Sequence, residues 1–138
     1  MKFKIILFLG LVMLAIISAC QSESQLEFAR YYSAGSLVYQ TKCQNCHGKN
    51  GEGLLSMIPP LTDTAYLKNN RKMLACLVLN GLRGKYVLVG KPFEGNMPPS
   101  GLNQVDIANV LTFVGNSFGN KMGTISIEEV GNNLSNCK

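Results

Sequence analysis

Two thiols and an imidazole fall within five residues of this chain, in Cys43-Gln44-Asn45-Cys46-His47. Two intervening residues let one turn of backbone present both thiols and the ring to a single macrocycle. Each thiol can add across one vinyl group of a haem, and the His after the second Cys lies under the porphyrin, where its Nε2 can bind iron. His47 is the sole histidine of the 138 residues, so a haem held by two imidazoles of this chain is excluded. Other chemistries need other surroundings. A structural zinc site wants four ligands, usually from a second CxxC or HxxxH pair, whereas Cys20, Cys76 and Cys137 stand alone. A thioredoxin-like CxxC sits at a strand-to-helix junction amid alternating β and α segments, and no such alternation surrounds this one. A motif this short also arises by coincidence, so its context decides.

A second iron ligand would be a soft, neutral donor, which after the leader means Met57, Met73, Met97 or Met122. Met73 belongs to a helical apolar stripe and is expected in the core. Met57 follows the motif too closely to reach the opposite face of a haem, and Met122 lies beyond the last strong helix. Met97 sits in Gly95-Asn96-Met97-Pro98-Pro99, a loop whose prolines fix the backbone and whose distance downstream allows it to wrap the macrocycle. Its alternative is a gap-filling core methionine.

The elements that must position these groups read as helices separated by long loops. From Ser33 to about Gln44, Leu37, Val38 and Tyr39 fit a helix running into the motif, with Gly35 offering a close approach. Gly48, Gly51, Gly53, Pro59 and Pro60 make the following stretch a loop. Asn70 can cap a middle helix through Leu79, with Met73, Leu74, Leu77 and Val78 on one face and Gly81 at its end. Gly84, Gly90, Pro92, Gly95, Pro98 and Pro99 then predict loop, with a brief strand at Tyr86-Val87-Leu88-Val89. A last helix starts at the N-cap Asn103, with Asp106 three residues on, and runs to Phe118 with Ile107, Leu111, Val114 and Phe118 as its buried face.

The chain opens with Lys2 and Lys4, runs apolar from Ile5 to Ile17 and meets Ser18-Ala19 before Cys20, the pattern of a signal peptide. The apolar run is shorter than the roughly 20 residues that cross a bilayer. Ile17-Ser18-Ala19-Cys20 resembles the lipobox of bacterial lipoproteins, in which the cysteine thiol is acylated and becomes the new N-terminus; the alternative is an ordinary leader with Cys20 as a passenger. The expected organisation is a lipoprotein signal peptide over 1–19, a polar tether over 20–32, and one domain with a C-terminal tail over 33–138. Removing the leader leaves 119 of 138 residues and takes two of thirteen basic residues and none of eight acidic ones, so eleven stand against eight, a balance of +3. A single small domain of this size gains much of its core from a large prosthetic group. The basic residues, among them Lys42, Lys49, Lys68, Arg71, Lys72, Arg83, Lys85 and Lys91, form no run, which argues against nucleic acid.

Taken in order, Gly35 and Tyr39, Cys43-Gln44-Asn45-Cys46-His47-Gly48, Pro59-Pro60-Leu61, Val89 to Pro98 and Asp106 to Val114 make the chain resemble a class I monohaem cytochrome c over about Gly35 to Asn120. The resemblance implies a mainly α fold, a small cytochrome c fold of helices and loops wrapped around one covalently bound haem c. It implies thioether bonds from Cys43 and Cys46, ligation by His47 and Met97, and a Pro59 carbonyl, two before Leu61, that accepts the imidazole proton and fixes the ring. It also implies that the first and last helices cross at Gly35 and Tyr39 against Phe113. Trp is absent, so the aromatic at a haem propionate falls to Tyr86 or Phe93, of which Phe93 cannot donate. Cys76 and Cys137 are either a disulfide tying the tail to the body, as an oxidising compartment permits, or two separate thiols.

With both axial positions filled, the function this implies is electron transfer rather than catalysis, at the outer side of the bacterial cytoplasmic membrane. Partners are membrane or periplasmic redox proteins (an oxidase, dehydrogenase or reductase), met through a small transient interface, with the membrane itself engaged by lipid on Cys20. Two alternatives remain at this stage. One is a haem-bearing accessory subunit of a periplasmic dehydrogenase, oxidase or nitrogen-oxide reductase. The other is a ligand-binding or peroxidatic haem without Met97 on iron.

Overall fold

The computed structural model describes the backbone of residues 2–55, 57–88 and 90–137, with side chains at 4–13 and from 23 onward within those stretches. The side chain of Cys20, the expected lipid site, lies outside the described residues. The chain divides into two compact units, Met1–Arg30 and Tyr31–Lys138.

Helix α1 spans Lys2–Lys42. No Gly or Pro interrupts the polar stretch 20–32, so backbone hydrogen bonding continues through it, and the helix does not begin at Ser33 as its periodicity suggested. In the first unit Ile5 to Leu9 and Leu11 to Met13 are exposed. Among the described residues no helix is long and apolar enough to cross a membrane.

The second unit is built on helices. A one-turn helix α2, Gln44–His47, follows α1 after a break at Cys43. After the loop come α3, Thr64–Asn69, and α4, Arg71–Asn80. A hairpin of β1, Leu82–Leu88, and β2, Lys91–Met97, leads to α5, Gln104–Val114, and α6, Ile127–Leu134. The core gathers Tyr39 from α1, Leu67, Leu74 and Ala75 from α3 and α4, Ile107, Ala108, Val110, Leu111 and Val114 from α5, and Ile125 and Val130 from the tail.

Gly35 is where α1 meets α5. A Cβ there would run into the carbonyl of Asn109 and come within 2.9 Å of Phe113 Cβ, so only glycine lets the two backbones touch. One turn on, the Tyr39 and Phe113 rings pack with centroids 5.3 Å apart. Leu37, read as part of this apolar face, points outward and is 65% exposed, because three consecutive helical residues cannot share one stripe.

Several elements depart from the reading of the sequence. The brief strand at Tyr86–Val89 is a hairpin of two seven-residue strands, antiparallel from Leu82↔Met97 to Leu88↔Lys91. Its glycines and Pro92 are tolerated because a two-stranded ribbon leaves both outer edges unpaired. Tyr86 and Phe93 stack directly across it at 6.1 Å. Met97 is therefore the last residue of a strand, not part of a free loop. Helix α5 ends at Val114 because the Asn116 side chain takes over: its Nδ2 donates to Thr112 O and Gly123 O, and its Oδ1 accepts from Met122 N and Gly123 N. Phe118 then turns back with φ 58° onto Tyr39 and Phe113. Met73, expected in the core, is 57% exposed. The tail forms α6, capped by Ser126 Oγ accepting from Glu129 N.

Candidate haem-binding site

Cys43 closes α1 and opens α2, its N–H bonded to Tyr39 O at 2.9 Å and its carbonyl accepting from both Cys46 N and His47 N. The tight turn brings Cys43, Cys46 and His47 together, and both thiols are free. Burial, and secondarily the neighbouring Cys46, push the Cys43 thiol up to about 11.

His47 is held through its ring. Nδ1 lies 3.3 Å from the carbonyl of Pro59, and a carbonyl only accepts, so Nδ1 carries the proton and Nε2 presents its lone pair. Nε2 makes no hydrogen bond among the described residues. Burial lowers the ring's pKa from its ordinary value, partly opposed by the Pro59 bond, which favours the neutral imidazole that a metal requires.

The loop that delivers Pro59 is closed on the motif. Gly53 N donates to His47 O at 2.9 Å and Leu61 N to Gly51 O at 2.7 Å, while Asn50 N donates to Glu52 Oε2 at 2.7 Å. Leu61 packs on the core. Tyr39, 1% exposed, donates its hydroxyl hydrogen to Gly48 O at 2.7 Å.

Of the four candidate methionines, Met57 and Met73 are exposed, and Met122 packs on the core beside Gly115. Met97 is half-buried at the end of β2. That strand lies on the loop before Pro59, since a Cβ on Gly95 would run into the carbonyl of Met57.

Beside Pro59 and Pro60 opens a cleft of about 210 Å³, closed by Asp63, Tyr66, Leu88, Lys91 and Phe93. Asp63 caps α3 through Oδ1, while its Oδ2 is buried without a partner among the described residues. Sequence reasoning passed over Asp63 and Tyr66; the signal available was Asp63 as an N-cap three residues before Tyr66. Cys76 and Cys137 form a disulfide, on the side of α4 that faces α6.

Both thiols, the oriented ring and the apolar cleft fit a macrocycle attached through two thioethers. The sequence model described as Cytochrome c matches residues 32–117. Over 90 residues the chain is 29% identical to cytochrome c-552 of Thermus thermophilus, covering 62% of this chain and 68% of that one. A second cytochrome c-552, from another record of the same species, is also 29% identical over 90 residues, covering 62% of this chain and 60% of that one. The chain belongs to the cytochrome c family. Its mainly helical fold is that of a small cytochrome c, its cofactor is covalently attached haem c, and its work is haem-based electron transfer.

Proposed function

We propose that this chain is a monohaem, class I electron carrier, anchored by lipid on Cys20 at the outer face of the bacterial cytoplasmic membrane. Cys43 and Cys46 hold the haem, and His47 and Met97 take its two axial positions. The observation that carries the ligand assignment is the bond from His47 Nδ1 to Pro59 O, which leaves Nε2 available beside two free thiols. When bound, the haem supplies reversible one-electron chemistry. Pro59 orients the ring and strengthens its donor nitrogen. A Met97 thioether favours ferrous iron relative to a second imidazole, and two side-chain ligands leave no position for a substrate.

The layout is a leader over 1–19, a tether over 20–32 and an electron-transfer domain with its tail over 33–138. Partners are membrane or periplasmic redox proteins. Lipid on Cys20 confines encounters to one surface and raises their frequency. Co-purification with a stoichiometric catalytic chain would assign the protein instead as an accessory subunit.

A reductive titration of the purified holoprotein and its Met97→Ala variant tests the assignment. A reversible one-electron wave that moves to lower potential in Met97→Ala is expected. An unmoved wave contradicts Met97 on iron. For the anchor, Cys20→Ala should release the protein from the membrane fraction, and a variant that stays membrane-bound contradicts it.

A further inference from the structure

The C-terminal segment lies beyond residues 32–117, where the family match ends, and it is fastened to α4 along that helix. At the first residue of α4, the Arg71 guanidinium donates to both carboxylate oxygens of Glu129, at 2.6 and 2.7 Å, to Met122 O at 2.7 Å and to Thr124 O at 2.9 Å. Halfway along, Cys76 is bonded to Cys137. The segment is itself secured to α5, since Thr112 Oγ1 donates to Ile125 O and accepts from Ile125 N.

The far end of α4 touches Met97. A Cβ on its C-cap, Gly81, would run into Met97 O and lie 2.7 Å from the carbonyl carbon of Pro98. Val78 O accepts from Ser100 N at 3.2 Å, and Leu82, directly after Gly81, pairs with Met97 as the first rung of the hairpin. One rigid helix therefore joins the tail at its start and middle to the backbone of Met97 at its end.

We infer that the tail is a positioning device for Met97: Glu129 and the Cys76–Cys137 bond hold α4 still, and α4 holds the methionine in place against competing ligands. This rests on the reading of Met97 as an iron ligand. An external ligand can reach the iron only in the fraction of molecules with Met97 displaced, so its apparent affinity scales with that fraction. Freeing α4 enlarges the fraction.

The test is a titration of ferric holoprotein with imidazole, followed by absorbance. It compares wild type, Cys76→Ser/Cys137→Ser and Glu129→Ala, each with Met97 and with Met97→Ala. If the displaced fraction rises tenfold, imidazole binds about tenfold tighter when either fastening is removed from the Met97 protein. In the Met97→Ala background the same changes should have no effect, the non-additivity that marks action through Met97. Unchanged affinity in the Met97 protein, or equal tightening in both backgrounds, overturns the inference alone. Equal affinity of wild type and Met97→Ala overturns the ligand assignment and the inference with it.

Discussion

Tyr39 donates its hydroxyl hydrogen to Gly48 O at 2.7 Å, from a side chain only 1% exposed. Its own carbonyl accepts from Cys43 N at 2.9 Å. One residue of α1 thus grips the haem-attachment motif at both ends, and because Tyr39 is wedged between Phe113 and Phe118, the motif inherits the rigidity of the helix crossing.

Replacing Tyr39 with Phe keeps the ring and leaves the Gly48 carbonyl without its donor. An unsatisfied buried acceptor costs about 1–3 kcal/mol. Denaturant unfolding of the holoprotein should show a loss of that order with an unchanged slope. A variant as stable as wild type would mean that water replaces the hydroxyl without loss.

The same phenol should resist ionisation. Burial is the main reason its pKa rises from 10.0 to about 12, with the charges of Cys43 and Glu52 adding less; the burial contribution persists with Cys43 in a thioether. The folded chain holds the proton more tightly than the unfolded chain does. The stabilisation is therefore complete below pH 10.0 and lost as pH rises through about 12. In a phenolate absorbance titration, the step absent from Tyr39→Phe should lie near 12. A missing step at the ordinary tyrosine value would show that the site is wet.

Gly35→Ala should force α1 and α5 apart, because the new Cβ would overlap the Asn109 carbonyl and crowd Phe113. Overpacking of this kind costs about 1–3 kcal/mol. The midpoint of thermal unfolding should fall accordingly, and an unchanged midpoint would show that the crossing has slack.

The site was more legible than the scaffold around it. Cys43, Cys46, His47 and Pro59 could be placed because their chemistry requires fixed spacing, and Pro59 does meet His47. Asn103 caps α5 by accepting from Asp106 N, and Asn70 and Gly81 bound α4, since capping is local. Even there the detail differs: the Asn70 side chain donates to Tyr66 O and makes no cap bond. The hairpin was obscured by Gly84, Gly90, Pro92 and Gly95, which resemble loop until cross-strand pairing is considered, and that pairing is not local. Helix α6 had a readable sign in Ser126-Ile127-Glu128-Glu129, a capping box. Phe118 could not be placed from periodicity, because the side chain that ends α5 is Asn116, bonding residues on both sides of the turn.

The most direct test of the central claim, an iron held by both His47 and Met97, is the absorption spectrum of the ferrous holoprotein before and after carbon monoxide is added at neutral pH. The spectrum should not change in wild type and should shift at once in Met97→Ala. An immediate shift in the wild-type protein would contradict the claim, since it would show a position on the iron that no side chain of this protein fills.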